Sequence, residues 1–365
     1  MRRQLGLQES LVEFVLDDPA SYALCVTQDG LTIRTIPGRK QISQLVERFL
    51  SAVKSKSDYG PAGRELFRMV LEPIINDQSS SLIVVPDGPL HLVPFGALPD
   101  RDGKALNARL AVTAVPSATI YSTLKAAADG AVARKPFLGL AYTQPRPSTV
   151  QLASNARGVF DLQGVDLKPL PFGREEIVEA STALGPGGVT LDGDRASEAA
   201  LKTQPLADFK VIHIAAHGVS NEAEPDRAAL LMAAGANSED GLWQAREIRQ
   251  TRLNADLVVL SACETGTGRL VGQEGIMNLA RAFLAAGAKS VVASLWAVED
   301  RATATLMEYF YGHLAAGLQV REALRQAQLD FVKDFGEKAQ PYYWAGFEVI
   351  GDGTRRINFK TNKPD

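Results

Sequence analysis

The sequence lacks several features that would assign it to a specialised class of protein. Two cysteines in 365 residues cannot form the disulfide framework of a small secreted domain. No apolar run approaches the length of a membrane span, and we expect no signal peptide at the N-terminus. A net charge of −3 argues against a broad basic surface for nucleic acid or for an acidic membrane. We therefore expect a soluble protein of the cytoplasm.

The composition is that of a globular protein with a substantial core. Hydrophobic residues make up 45% of the chain and charged residues 22%. A β-hairpin is predicted over residues 21–36, and beyond it short apolar segments alternate with segments of helical spacing, among them predicted helices at residues 241–250 and 275–287. This alternation predicts an α/β fold in which helices cover both faces of a mostly parallel sheet.

One stretch departs from this pattern and suggests a division of the chain. Residues 131–173 are rich in Pro, Gly, Ser and Gln, apart from the predicted strand "FLGLAY". We place a domain boundary near Ala133, which gives domains of residues 1–133 and 134–365. Residues 143–171 are then a long surface loop, and loops of this length are often functional.

Two predicted strands end in residues that can carry chemistry. "VIHIAAHG" ends at His217 and "LVVLSAC" ends at Cys263. Reactive groups of parallel sheets lie at the carboxyl ends of the strands, so the two side chains can meet at one edge. A thiol beside an imidazole is suited to nucleophilic catalysis. The backbone N–H groups of Gly218 and Cys263 are candidates for an oxyanion hole.

Simpler interpretations of these residues remain open. A cysteine at a strand end is usually a small buried apolar residue, and a single histidine is usually a core residue with its hydrogen bonds satisfied. We expect Cys25, in the hairpin, to be such a core residue, and His213 to be packed or to support the site. His91 has no thiol partner in its loop and is expected to be structural. Ser261 lacks the Gly-x-Ser-x-Gly context of a nucleophile.

Several sequence blocks resemble the CHAT domain, a family of caspase-like and separase-like cysteine proteases. They are "VIHIAAHG", "LVVLSACETGTG", "GQEGIMNLARAFLAAGAKSVVASLWAVED" and "PYYWAGFEVIG". The resemblance implies a caspase-like α/β/α sandwich with an inactive caspase-like N-terminal half and an active C-terminal half. It also implies that His217 and Cys263 form the catalytic pair. The tetratricopeptide repeats that often precede this domain are not found here.

The resemblance further implies a cysteine endopeptidase that cleaves a protein or peptide substrate after Arg or Lys. In separase an acidic residue in the loop after the next strand receives the basic side chain, and Asp300 occupies the matching place. Glu299 and Trp296 are further candidates for substrate binding. Alternatively, Asp300 only caps the following helix and Trp296 only belongs to the core.

We expect neither a metal ion nor an organic cofactor. We do expect control by a regulatory protein partner. Relatives with this domain occur largely in prokaryotes and some act in defence or cell-death systems, so the resemblance implies a target encoded by a neighbouring gene. Two alternatives stay open. One is a dormant, protease-derived scaffold that binds partners. The other is a redox or nucleotide-binding α/β protein, although the loop "GTGRLVG" after Cys263 lacks a complete phosphate-binding motif.

Overall fold

The chain folds into two compact units. The computed structural model describes residues 1–75, 78–127, 135–143, 169–219, 225–233, 239–261 and 275–359. Cys263 and most of the predicted surface loop over residues 143–171 lie outside the described residues. Unit 1 comprises Met1–Ala128 and Gln328–Gly353, and unit 2 comprises Asp129–Ala327 and Thr354–Asp365.

Strands and helices alternate along most of the described chain. The strands are β1 (Glu9–Val15), β2 (Ala20–Val26), β3 (Leu31–Pro37), β4 (Ser81–Val85), β5 (Ala111–Ala114), β6 (Lys135–Ala141), β7 (Val189–Asp192), β8 (Phe209–Ala215), β9 (Gly218–Val219), β10 (Ala229–Leu231), β11 (Leu242–Gln244), β12 (Leu257–Leu260), β13 (Ser290–Ser294) and β14 (Phe347–Gly351). The α-helices are α1 (Arg39–Lys54), α2 (Gly60–Val70), α3 (Ala118–Ala126), α4 (Gly173–Leu184), α5 (Glu198–Lys202), α6 (Ala245–Ile248), α7 (Gly275–Ala286), α8 (Asp300–Ala315), α9 (Val320–Phe335) and α10 (Pro341–Trp344).

Unit 1 is built on a mixed sheet. Its described strands have the order β3-β2-β1-β4-β5-β14. The predicted hairpin is β2 and β3, in which Tyr22 pairs with Thr35 in an antiparallel ladder. From β1 through β4 and β5 to β14 the pairing is parallel. All residues of β4 are buried, as predicted for its continuous apolar run, because parallel strands are covered on both faces.

The bounds of the two units differ from the single boundary expected near Ala133. The chain passes from unit 2 back to unit 1 within α9. Strand β14 then pairs with β5 of unit 1, where Ile350 lies opposite Ala114. A pairing between strands so far apart in the sequence gives no local signal, so composition alone cannot place residues 328–353 in the first unit.

Unit 2 contains a parallel sheet, where the sequence predicts a mostly parallel one. Its described strands have the order β13-β12-β8-β6-β7, and each recorded pair is parallel. Helix α4 packs against β6, β7, β8 and α8, while α7 packs against β13. Helix α7 ends before Gly287, as predicted, and the φ angle of +114° at that position is one that glycine adopts without strain.

A small antiparallel sheet, in the order β11-β10-β9, corrects one prediction in unit 2. A helix was expected over residues 241–250, but its first half is strand β11 and only Ala245–Ile248 is helical. Trp243 pairs with Leu230 and lies fully buried against Phe283, with 5.4 Å between the ring centroids. Burial of this side chain outweighs the helical propensity of the segment.

None of the helices formed by the described residues is both long and apolar enough to cross a membrane.

Candidate functional site

His217 lies just beyond the carboxyl end of β8, which is a central strand of the parallel sheet of unit 2. Strand β8 lies between β6 and β12, and six of its seven residues are buried. The apolar run that precedes His217 therefore forms a rigid central strand. The His217 side chain itself is 2% exposed, so its polar atoms lie in a largely dehydrated environment.

The backbone around His217 is fixed by the small antiparallel sheet. The carbonyl oxygen of His217 accepts a hydrogen bond of 2.8 Å from the Leu231 N–H, and Gly218 is paired with Leu230. This pattern makes Gly218 and Leu230 a non-hydrogen-bonded pair, so the Gly218 N–H points away from β10. The Gly218 N–H therefore makes no hydrogen bond to β10. A candidate oxyanion donor must meet this condition.

Strand β12 leads towards Cys263 and is the direct parallel neighbour of β8. Leu260 lies opposite Ile214, and the Ser261 N–H donates a hydrogen bond of 3.2 Å to the Ile214 carbonyl. His217 is three residues beyond Ile214, and Cys263 is three residues beyond Leu260. The two candidates thus follow paired residues of adjacent strands at the same offset. Cys263 itself is outside the described residues.

A buried polar cluster lies beneath this edge of the sheet. His213 Nδ1 is 2.9 Å from the Tyr311 hydroxyl, and His213 Nε2 is 3.0 Å from the Ser261 hydroxyl and 2.8 Å from Glu176 Oε1. The four side chains are between 0% and 5% exposed. We assign the ring proton to Nε2, which donates to the Ser261 hydroxyl, and Nδ1 then accepts from the Tyr311 hydroxyl; Glu176 Oε1 lies close to Nε2 but makes no hydrogen bond with it. His213 supports the strand ends, as the sequence suggested.

The partners of His213 were not found from the sequence. Glu176 stands in the first turn of α4, where an acidic residue is explained by the helix dipole. Tyr311 stands in an apolar segment of α8 and resembles an ordinary core residue. Burial is the main cause that raises the pKa of Tyr311 well above its ordinary value, and the negative charge of Glu176 raises it further. Tyr311 therefore stays protonated and able to donate.

The three candidate substrate-binding residues lie between β13 and the first turn of α8. Trp296 is buried, Glu299 is exposed, and Asp300 is half-buried as the first residue of α8. The side chain of Asp300 does not cap its own helix; instead its Oδ2 accepts a hydrogen bond of 2.7 Å from the Phe172 N–H, at the start of α4. Asp300 therefore holds the starts of two helices together.

The charge state of Asp300 is set mainly by burial. Burial raises the pKa of its carboxyl group, the hydrogen bond from Phe172 lowers it, and the negative charge of Glu176 raises it further. The net pKa is above the ordinary value for aspartate. The two oxygens of a carboxylate at this position can accept several hydrogen bonds at once.

A second acidic cluster in unit 2 surrounds Lys202. The Lys202 ammonium lies 2.6 Å from Glu198, 3.0 Å from Glu239 and 3.3 Å from Glu247. Their carboxylate oxygens are close enough together for a metal ion. The ammonium already occupies the centre of the group and takes the place of a cation, so the cluster is an ion-pair network. It joins α5, the segment before β11, and α6.

Glu198→Gln is expected to remove a pH dependence of stability. Burial raises the pKa of Glu198 to about 7, so the native state holds a proton that the unfolded chain has released. The bound proton stabilises the native state fully below the pKa that Glu198 has in the unfolded chain. This stabilisation is lost as the pH rises through the native pKa of about 7. Relative to Glu198→Gln, the wild type should lose about 2 kcal/mol in the free energy of unfolding between pH 5 and pH 8.

Urea unfolding at the two pH values measures this difference. Glu239→Gln is the matched control, because Glu239 contacts the same ammonium but is about a third exposed. If the wild type and Glu198→Gln show the same change in unfolding free energy between pH 5 and pH 8, Glu198 does not bind the proton.

The other cysteine and one further histidine are placed as expected for structural residues. Cys25 is buried in β2, and burial raises the pKa of its thiol, partly offset by a hydrogen bond with Ser10. A thiol of this kind is a poor nucleophile at neutral pH. His91 lies in a short 3-10 helix after β4 of unit 1.

Comparison with known proteins identifies the domain. Residues 60–352 match the model of the CHAT domain. Tetratricopeptide repeat protein 28 of Mus musculus is 36% identical over 114 residues, which is 31% of this chain, and the Homo sapiens protein is 34% identical over 114 residues. The chain spans only 5% and 4% of the length of these curated relatives.

The fold resembles that of separase. A crystal structure of the Saccharomyces cerevisiae separase–securin complex superposes with a TM-score of 0.55 at 10% identity, covering 96% of this chain and 30% of the matched chain. A second structure of that complex gives a TM-score of 0.52 at 9% identity, covering 94% and 30%. The caspase-like α/β fold with a large, mostly parallel sheet, expected from the sequence, is confirmed.

Proposed function

The chain belongs to the CHAT domain family, and on this premise we propose that it is a cysteine endopeptidase with His217 and Cys263 as its catalytic dyad. The observation that carries the proposal is the register of β8 and β12. Both candidate residues come three positions after a directly paired residue, Ile214 or Leu260, at the carboxyl edge of a parallel sheet. Because the two strands are adjacent and the offsets are equal, we expect the thiol and the imidazole to lie at the same edge of the sheet.

The proposed reaction proceeds through an acyl-enzyme. The Cys263 thiolate attacks the carbonyl carbon of the scissile peptide, and the N–H groups of Gly218 and Cys263 stabilise the oxyanion. His217 protonates the leaving amine as the C–N bond breaks, which leaves a thioester. Water, deprotonated by His217, then attacks the thioester and releases the acid and the thiol. No metal ion or organic cofactor takes part in this sequence of steps.

We place the basic side chain of the substrate at Asp300, so that cleavage follows Arg or Lys. A carboxylate is the best protein partner for a guanidinium, which it binds through two parallel hydrogen bonds. Asp300 is half-buried, and its bond to Phe172 uses only part of the accepting capacity of one oxygen. We further propose that the exposed Glu299 adds negative charge beside Asp300 and that the buried Trp296 forms an apolar wall of this pocket.

Control by a protein partner is part of the proposal. Two of the structures that share this fold are of separase in complex with securin, and two curated relatives are named for tetratricopeptide repeats, which support protein interactions. A scaffold that retains the fold without activity is the second candidate, and the names of those relatives favour it. The two candidates differ in whether Cys263 forms a covalent intermediate.

Cleavage-site profiling of a peptide library tests the proposal. The wild-type chain is expected to cut after Arg or Lys, and Cys263→Ala is expected to make no cuts, with mass spectrometry as the measurement. Cuts after other residues that vanish in Cys263→Ala would retain the dyad and refute the role of Asp300. Equal products from both proteins would refute the dyad. Absence of cuts, repeated after incubation with cell lysate as a source of partner, would favour the scaffold.

A further inference from the structure

The buried cluster of Glu176, His213, Ser261 and Tyr311, here called the His213 network, brings together four separate elements of unit 2. Glu176 comes from α4, His213 from β8, and Tyr311 from α8, while Ser261 directly follows β12. His213 contacts all three of the others at 2.8–3.0 Å. A single imidazole therefore links two neighbouring strands to the two helices that pack over them.

Close packing of α4 on the sheet makes the contact with Glu176 feasible. Gly139 of β6 lies opposite His213, and a Cβ at Gly139 would lie 2.9 Å from Ile177 Cβ, closer than real side chains approach. Glycine at this position lets α4 come down onto β6. Glu176 precedes Ile177 in the helix, and this approach places its carboxylate 2.8 Å from His213 Nε2.

Stability alone does not account for such a cluster. Removing ionisable groups from water costs several kcal/mol per ion, and apolar side chains of the same volume often stabilise a core at least as well. The hydrogen bonds of His213 to Ser261 and Tyr311 instead fix the directions of these side chains, because each bond is met in one geometry, and Glu176 adds a carboxylate 2.8 Å from the imidazole. The Phe137 ring, which lies edge-on to both His213 and Tyr311, closes the cluster from its apolar side.

Two members of the network precede the proposed dyad residues by a few positions in the sequence. His213 precedes His217 by four residues on β8, and Ser261 precedes Cys263 by two residues after β12. The hydroxyl of Ser261 is held by His213, while its N–H is held by Ile214 of the same strand β8. Both the side chain and the backbone of the residue that leads into the nucleophile are thus tied to the strand that carries the imidazole.

We propose that the His213 network is a positioning device for the catalytic edge, in which His213, Glu176 and Tyr311 hold Ser261 and thereby set the place of Cys263 relative to His217. This inference rests on the proposed endopeptidase function. A misplacement of reacting groups by about 1 Å can cost about a hundredfold in rate, so a network that acts through position has a kinetic effect beyond its effect on stability. Because the four side chains are buried, we regard the network members as positioning residues that act through Cys263 and His217.

Tyr311→Phe is the sharpest test, because it removes one hydroxyl and leaves a ring of the same shape. We expect kcat on a basic peptide substrate to fall about tenfold, with KM within about twofold of the wild type. Tyr121→Phe is the matched control, since Tyr121 is an equally buried tyrosine in the core of unit 1. The melting temperature of both variants is measured beside the kinetics. A loss of kcat in Tyr311→Phe that is no greater than in Tyr121→Phe would overturn the proposal.

Alkylation of Cys263 separates failure of this inference from failure of the proposed function. In a Cys25→Ser background, Cys263 is the sole thiol, and its reaction with iodoacetamide at pH 7 is followed by intact mass, with no peptide substrate needed. We expect Tyr311→Phe to lower this rate about threefold or more relative to Tyr121→Phe, because thiol reactivity follows the placement of the neighbouring imidazole. Equal rates in the two variants would refute a positioning role even if the wild type cleaves no peptide.

Discussion

Replacement of either Cys263 or His217 by alanine is expected to lower kcat for peptide cleavage by about 10³-fold or more, and replacement of both is expected to lower it no further. The two side chains act as one unit. Without the thiol no acyl-enzyme forms, and without the imidazole the leaving amine has no proton donor. The measurement is single-turnover cleavage of a basic peptide by the wild type, both single variants and the double variant.

The second cysteine supplies the matched control for this experiment. Cys25→Ala removes the buried thiol of β2, so it should lower stability by about 1 kcal/mol and leave kcat unchanged. If Cys25→Ala abolishes cleavage while Cys263→Ala retains it, the nucleophile has been assigned to the wrong cysteine. If His217→Ala stays within tenfold of the wild type, the imidazole is neither the acid nor the base.

The sequence predicts the elements that carry the site better than it predicts their partners. Strand β8 and the start of β12 follow from continuous apolar runs, and their reactive residues stand at the run ends, where a polar residue in a buried strand is informative. The sequence does not determine whether β8 and β12 are neighbours in the sheet, since the segment between them is long enough to form another strand. The intervening segments form the separate sheet β9–β11 instead.

Local sequence patterns do not predict the His213 network. The segment containing Glu176 has helical periodicity, and an acidic residue in a first turn is expected on any exposed helix. What makes Glu176 buried is the descent of α4 onto the sheet at Gly139, and that depends on contacts between β6 and α4. The same holds for residues 241–250, where burial of Trp243 converts a helical pattern into a strand. Tertiary packing decides both cases.

Long-range strand pairing also limits how well the domain boundaries can be predicted from the sequence. The segment 328–353 lies within the C-terminal half that is expected to be active, yet β14 pairs with β5 of unit 1. Strand β1 was also not predicted, although its place between β2 and β4 joins the hairpin to the parallel part of the sheet. In each case the missing information is the partner strand, which hydrophobic periodicity does not encode.

Asp300→Asn is expected to lower kcat/KM for substrates with Arg at the cleavage site by about 10²-fold, and to leave substrates with a neutral residue there within about threefold. The amide oxygen of asparagine can still accept the hydrogen bond from the Phe172 N–H, so the link between the starts of α4 and α8 is retained. The variant therefore removes the charge and keeps the local structure. The measurement is the ratio of kcat/KM for paired peptides that differ only at that residue.

Glu299→Gln is the matched control, since it removes the neighbouring exposed carboxylate, and rim charges contribute less than half-buried ones. We expect it to change the selectivity ratio by less than threefold. The pH dependence of the ratio gives an independent check. Because the pKa of Asp300 is raised above its ordinary value, preference for Arg should decline on acidification at a higher pH than an ordinary aspartate would give. An unchanged ratio in Asp300→Asn would show that this carboxylate serves only to hold Phe172, and that substrate preference is set elsewhere.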